Sequence, residues 1–107
     1  MKYETFIRDM FSAWQTRDWG FVERALANGF SFTSPYDDHI DKVEYRHKCW
    51  DAVKEIEPYD FINIMEQGDD AYVHYKGKVN GVQVQNVEHF LFDNGKIKGI
   101  TVFFGRP

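Results

Sequence analysis

Cysteine is nearly absent from this 107-residue chain, where Cys49 stands alone. That excludes an internal disulfide framework and any zinc site built on several thiolates, and it gives no sign of an oxidising compartment. Proline occurs only three times, and no linker, repeat or low-complexity stretch interrupts the sequence. Long apolar runs are missing as well. Runs such as Ile100 to Phe104 fall far short of the ~18 residues of a membrane span, and the first residues lack a basic-then-apolar leader pattern. The expected location is the cytoplasm, with no membrane partner. Positive charge is also scarce, since 13 Lys and Arg against 17 Asp and Glu leave a net charge of -4. A binder of phosphate backbones needs clustered bases, so no nucleic-acid partner is expected. The deficit is local: Asp37 to Asp70 holds 11 acids against four bases, which reads as a solvated acidic face. The length is that of one domain, long enough to bury a core without disulfide or metal staples.

What the chain does have is rings. Ten Phe, six Tyr and three Trp make 18% of the residues aromatic. Rings bury much area apiece, so a small protein this rich in them has either a very stable core or a cavity or interface lined by them. Phe6, Ile7, Met10, Phe11 and Trp14 form one stripe of an amphipathic helix over Tyr3 to Gln15. Asp18 caps a second helix, Trp19 to Ala27, with Asn28-Gly29 as its stop. Phe30 to Thr33 alternates as a strand ended by Ser34-Pro35, and a polar loop, Tyr36 to His39, follows. Asp41 starts a third helix whose apolar side is Val43, Cys49, Trp50 and Val53, bounded by Pro58. From Tyr59 the period becomes two, with turns at Gly68-Asp69-Asp70, Asn80-Gly81 and Asn94-Gly95. Four strands result, about Asp60–Gln67, Ala71–Val79, Val82–Phe92 and Ile97–Phe104. The order is α-α-β-α-β-β-β-β, an α+β fold in which a curved antiparallel meander gathers three helices on one face. Such a curled sheet tends to leave a conical hollow against the helices.

Three stretches carry a family resemblance: Ala13-Trp14-Gln15-Thr16-Arg17-Asp18-Trp19, the segment Phe30 to Asp38, and Phe90-Leu91-Phe92-Asp93-Asn94-Gly95-Lys96-Ile97 with Phe103-Phe104. The chain resembles the nuclear transport factor 2-like superfamily, and within it the SnoaL-like and ketosteroid-isomerase-like small proteins. The resemblance implies a cone-shaped, cystatin-like fold, a strongly curved antiparallel sheet wrapped around three helices, and a homodimer. It specifies fold better than function, because the family includes isomerases, polyketide cyclases, dehydratases, epoxide hydrolases and members that only bind or dimerise. A ketosteroid isomerase needs a carboxylate base and an oxyanion hole of a tyrosine and a protonated acid. Here the tyrosine position falls on Met10, the base on Ser34 and the acid on Glu88. With one position of three suitable, that mechanism is not expected.

Glu88 is the only acid between Ala71 and Phe92, and strand alternation sets it on one face with Asn86, Phe90 and Phe92. If that face walls the hollow, burial raises its pKa and suits it to general acid or base work; otherwise it is an outward, solvated Glu. A two-residue turn at Asn80-Gly81 pairs Val73 with Glu88, Tyr75 with Asn86 and Tyr72 with His89. The same rule at Asn94-Gly95 sets Thr101 opposite Glu88, whereas the resemblance turns Ile100 and Phe104 inward; one bulged residue would reconcile the two. Asp38, beside His39 at the expected mouth, is a second candidate for acid-base chemistry, though Asp-Asp after Pro is also ordinary turn chemistry. Met10, Trp14, Ser34, Tyr36, Trp50, Tyr75, Asn86, Phe90 and Phe104 are the candidate ligand-binding residues. No HxxxH or HExxH spacing exists, so neither a metal nor another cofactor is expected, and Cys49 reads as a small buried hydrophobe. Two functions stay open. One is a pocket for a small apolar or aromatic molecule, with cofactor-independent isomerisation, cyclisation or dehydration if the protein is an enzyme. The other is a non-catalytic module that pairs through an outer sheet face of Tyr72, His74, His89 and Val102. A hollow of a few hundred cubic ångströms containing Glu88 favours the first.

Overall fold

The computed structural model describes all residues, Met1–Pro107. Helix α1 (Glu4–Thr16) buries Ile7, Met10, Phe11 and Ala13, the stripe expected from spacing. It ends at Arg17, whose φ of 63° is left-handed. The Asp18 amide then donates back to the Ala13 carbonyl at 2.8 Å, the longer bond of a Schellman-type stop. Arg17 serves there in place of glycine because its guanidinium lies 3.8 Å from the Trp50 ring and donates to the Trp50 carbonyl at 2.6 Å. Helix α2 (Trp19–Ala25) is capped by Asp18, whose carboxylate accepts from the Phe21 amide at 3.1 Å.

The chain leaves that helix two residues earlier than the Asn28-Gly29 stop signal predicts. Leu26 already pairs with Ile97, so strand β1 (Leu26–Ser34) begins there, and Asn28-Gly29 falls in an irregular stretch before Ser31 pairs with Gly99. Tertiary pairing overrides the local signal. The expected loop Tyr36 to His39 is likewise a strand for most of its length: β2 (Asp37–Ile40) folds back on β1. Asp41 caps α3 (Lys42–Tyr45), accepting from the Glu44 amide at 2.9 Å. The helix continues as one π-helical turn, Arg46–Trp50, closed by the Asp51 amide on the Arg46 carbonyl.

Strands β3 (Asp60–Gln67), β4 (Asp70–Val79), β5 (Val82–Asp93) and β6 (Lys96–Phe104) follow the predicted meander within a residue or so at each end. The sheet has six strands in the order β2-β1-β6-β5-β4-β3. It is mixed, not wholly antiparallel, because β1 runs parallel to β6. The Asn80-Gly81 and Asn94-Gly95 turns have positive φ at both residues, as two-residue hairpins require. Val73 pairs with Glu88, and Tyr75 with Asn86, as the turn dictates. On the other side a bulge separates Phe92–Ile97 from Leu91–Gly99 and leaves Lys98 unpaired, so Val102, not Thr101, opposes Glu88. Ile97 and Ile100 are therefore both buried.

The narrow end of the cone is packed solid with rings. Tyr3 stacks on Phe92 at 3.9 Å, and Phe6 meets Phe92 edge-on. At the other end, the segment after the π-turn lies across the sheet margin, held by backbone bonds from the Glu57 amide to the Lys78 carbonyl (3.0 Å) and from the Asn80 amide to the Glu55 carbonyl (2.8 Å), and by the Asn80 side chain. Asn80 Oδ1 accepts from the amides of Lys54 (2.7 Å) and Glu55 (3.1 Å), and its Nδ2 donates to the Ala52 carbonyl at 3.0 Å. Ile56 then bridges to Val79. An Asn80→Gly variant keeps the left-handed turn but removes these three bonds, each worth about 1 kcal/mol. Hydrogen exchange at the Lys54 and Glu55 amides should speed up by about tenfold or more, while the β4 and β5 amides stay protected.

Candidate functional site

The wide end of the cone encloses a cavity of about 280 Å³ lined by 18 residues, 16 of them hydrophobic. The two polar ones are Asn86 and Glu88, adjacent on the inner face of β5. Alternation alone sets Glu88 inward, and the Lys98 bulge completes the wall by turning Ile100, Val102 and Phe104 to the same side. Helix α1 closes the cavity with Met10, Phe11 and Trp14; the third helix and its π-turn contribute Tyr45 and Cys49; the Asn80-held segment adds Val53, Ile56 and Tyr59.

Glu88 is tied by one strong bond. The Tyr75 hydroxyl donates to Oε2 at 2.5 Å, and Asn86 Nδ2 donates to the same phenol oxygen at 3.1 Å. Phe11 packs edge-on against Tyr75 and Tyr59, both at 4.9 Å between ring centres, and so fixes the phenol. Oε1 has no protein partner and is not sealed off by packing, so it opens to the cavity. The carboxyl is otherwise enclosed by protein, and its solvent access runs through the cavity itself. Burial pushes its pKa from the ordinary 4.5 to about 7, against the opposing effect of the Tyr75 hydrogen bond. Burial, and then the Glu88 charge, raise Tyr45 and Tyr75 well above the usual phenol range. The Cys49 thiol is pushed up to about 12, chiefly by burial, which makes it inert as a nucleophile near neutrality. The arrangement is a carboxyl that can give or take a proton near pH 7 in an apolar, ring-lined space.

Of the sequence-derived ligand-binding candidates, Met10, Trp14, Tyr75, Asn86, Phe90 and Phe104 line this cavity. Three others do not. Ser34 is occupied by its turn, donating to Asp37 at 3.0 Å and accepting from the Tyr36 amide. Tyr36 stands 83% exposed outside, its ring 5.7 Å from Phe104. Trp50 is buried between Trp14, Trp19 and Arg17 as core. Asp38 is also misplaced as a cavity carboxyl: its side chain is 95% exposed and bonds only to His39, at 2.6 Å. Two face assignments are corrected as well. Val43 points to solvent, because the cavity face of the third helix repeats as Tyr45, Cys49 and Val53. Val102 lies on the inner face, since the bulge shifts its parity, and Phe103 takes its place outside. Sequence reading missed Tyr45, Ile56, Tyr59, Val79 and Val84 among the lining residues; for Tyr45 the four-residue spacing to Cys49 was the available signal. No group of three His, Cys, Asp or Glu side chains converges as metal ligands would.

Fold and cavity together define a cone-shaped α+β protein with the nuclear transport factor 2-like fold. The SnoaL-like domain model matches residues 7–100, and the chain belongs to that family. Similar solved structures include a nuclear transport factor 2-like protein of unknown function from Cytophaga hutchinsonii, 19% identical over 92% of this chain and 86% of that one, with a TM-score of 0.78. A candidate SnoaL-like polyketide cyclase from Jannaschia sp. is 14% identical, covering 92% and 81%, at 0.76. An epoxide hydrolase of the LEH-like type from M. tuberculosis is 16% identical, covering 92% and 79%, at 0.74. These likenesses establish the fold alone. No curated protein matches the chain. No helix is long and apolar enough to cross a membrane.

The raised Glu88 pKa has a consequence for stability. The native state keeps a proton that the unfolded chain releases above its ordinary 4.5, so stability falls as pH rises from about 4.5 to about 7 and levels off beyond. The loss from this group is on the order of 3 kcal/mol at most. Glu88→Gln removes it. Thermal melts should show the variant more stable than wild type at pH 8, by about 5 °C or more, with the gap closing towards pH 5.

Proposed function

We propose that this protein holds a small apolar or aromatic molecule in the ring-lined cavity and catalyses a cofactor-independent proton transfer on it, of the kind used in isomerisation, cyclisation or dehydration. The reading rests on one observation: Glu88 is the only charged residue lining an otherwise apolar cavity, and its Oε1 is free to meet a ligand. A carboxyl with a pKa near 7 is matched to proton transfer at neutral pH. Proteins of similar fold, a candidate polyketide cyclase and an epoxide hydrolase among them, are compatible with chemistry in such a hollow. A single reduced thiol, Cys49, fits a cytoplasmic setting. The test is α-proton exchange of small cyclic ketones in D2O followed by NMR. Wild type should accelerate exchange, and Glu88→Gln should lose roughly 10²- to 10⁴-fold of that acceleration. Equal rates in the two proteins would remove the catalytic reading and leave a binding protein.

A second reading, self-association of a non-catalytic module, has its own observation. Outside the sheet, Tyr72 and His89 stack at 4.6 Å, His89 Nε2 lies 2.6 Å from Asp70 Oδ1, and Met65, Tyr72 and Phe103 are exposed. We take this face as a homodimer surface, compatible with the first reading as well. Light scattering should give twice the 12.7 kDa chain mass, and Tyr72→Glu with Phe103→Glu should return it to one. A monomeric wild type would exclude the dimer.

A further inference from the structure

The cavity selects its ligand by charge as well as by shape. Among its 18 lining residues there is one carboxyl and no Lys, Arg or His. No basic side chain lines the cavity. Arg17 donates through one terminal nitrogen to the Trp50 carbonyl and lies over its ring, the other terminal nitrogen being buried without a partner, outside the lining; Lys48 lies at the surface between Glu44 and Asp37, and His89 faces out of the sheet towards Asp70. An anionic ligand would therefore enter an apolar-walled space with no basic lining residue and meet a carboxyl. A ligand that donates hydrogen bonds meets the opposite situation, because Tyr75 occupies only Oε2 and Oε1 lacks a partner.

We propose that the preferred ligand is an amine on an apolar, one- or two-ring skeleton, its nitrogen donating to Glu88 Oε1 and its charge shared with the surrounding rings. This rests on the pocket reading above and names the ligand class for the same site. The cavity's 280 Å³ is room for such a skeleton. Trp14, Tyr45, Tyr59 and Tyr75 line it, and aromatic walls around a carboxylate are the arrangement that favours organic ammonium ions. The ion pair is buried, so its net worth depends on the extra hydrogen bond at Oε1 and on those rings, not on Coulomb attraction alone.

The pH behaviour follows from the groups facing Glu88. From β4 it meets Tyr75, from the third helix and its π-turn Tyr45 and Cys49, and from the segment before β3 Tyr59; β6 and α1 present only apolar side chains to the cavity. Those phenols and the thiol are all raised by burial and stay neutral below pH 9, so Glu88 is the one group there whose charge changes between pH 6 and 8. Amine binding should strengthen over that interval.

The test is calorimetric titration of wild type and Glu88→Gln with three probes on one skeleton: 2-(1-naphthyl)ethylamine, 2-(1-naphthyl)ethanol and 1-naphthylacetate. At pH 8 the amine should bind wild type about tenfold tighter than the alcohol and at least a hundredfold tighter than the acid. The amine's advantage over the alcohol should shrink at pH 6 and vanish in Glu88→Gln. Alcohol and amine binding equally, or the acid binding best, would overturn the charge inference and leave the pocket reading standing. Binding by none of the three would overturn both. The ratios among probes in wild type do not depend on how well the variant folds.

Discussion

Side chains on a strand alternate between faces, and one unpaired residue reverses that alternation for everything downstream. Lys98 is that residue. Before it, Ile97 closes the packed end of the cone; after it, Ile100, Val102 and Phe104 wall the cavity beside Glu88. Without the bulge, β6 would point Thr101 and Phe103 at the carboxyl and send three apolar side chains to solvent. The apolar wall that β6 sets beside Glu88 depends on this single irregularity.

The aromatic excess divides into two populations with different work. Tyr3, Phe6, Phe21 and Phe92 fill the narrow end in stacked, tilted and edge-on pairs, where close packing supplies stability. Phe11, Trp14, Tyr45, Tyr59 and Tyr75 stand around a space they do not fill. A ring is stiff enough to leave a void standing where flexible aliphatic side chains would collapse into it. The void is bounded by elements held on both sides: Arg17 secures the π-turn through Trp50, and Asn80 secures the segment carrying Ile56 and Tyr59. Burying a carboxyl in that space opposes stability at neutral pH.

Much of this was legible in the residues. The stripe Phe6-Ile7-Met10-Phe11-Trp14, the Asp18 and Asp41 caps and the Asn-Gly turns are local signals, because helix periodicity, capping and left-handed turn geometry act over a few residues. The Asn80-Gly81 turn alone determined that Val73 faces Glu88, and that Tyr75 lies beside Asn86 within reach of the carboxyl. What failed depended on partners far along the chain. Leu26 leaves α2 because Ile97 is there to pair with it, and β2 forms because β1 offers an edge. Ser34 and Asp38 read as site residues by position, yet a turn consumes the first and solvent surrounds the second.

The sequence by itself determined the order of the elements other than β2, the β4-β5 hairpin register at Glu88 and the family resemblance, since each rests on short-range stereochemistry or on a pattern of residue types. Only the tertiary structure decided that the hollow stays open, that the Lys98 bulge turns β6 inward, and that Tyr45 rather than Trp50 lines the space. Those outcomes come from close packing between segments distant in sequence, where a shift of one residue, or one extra residue in a helical turn, exchanges one set of side chains for another.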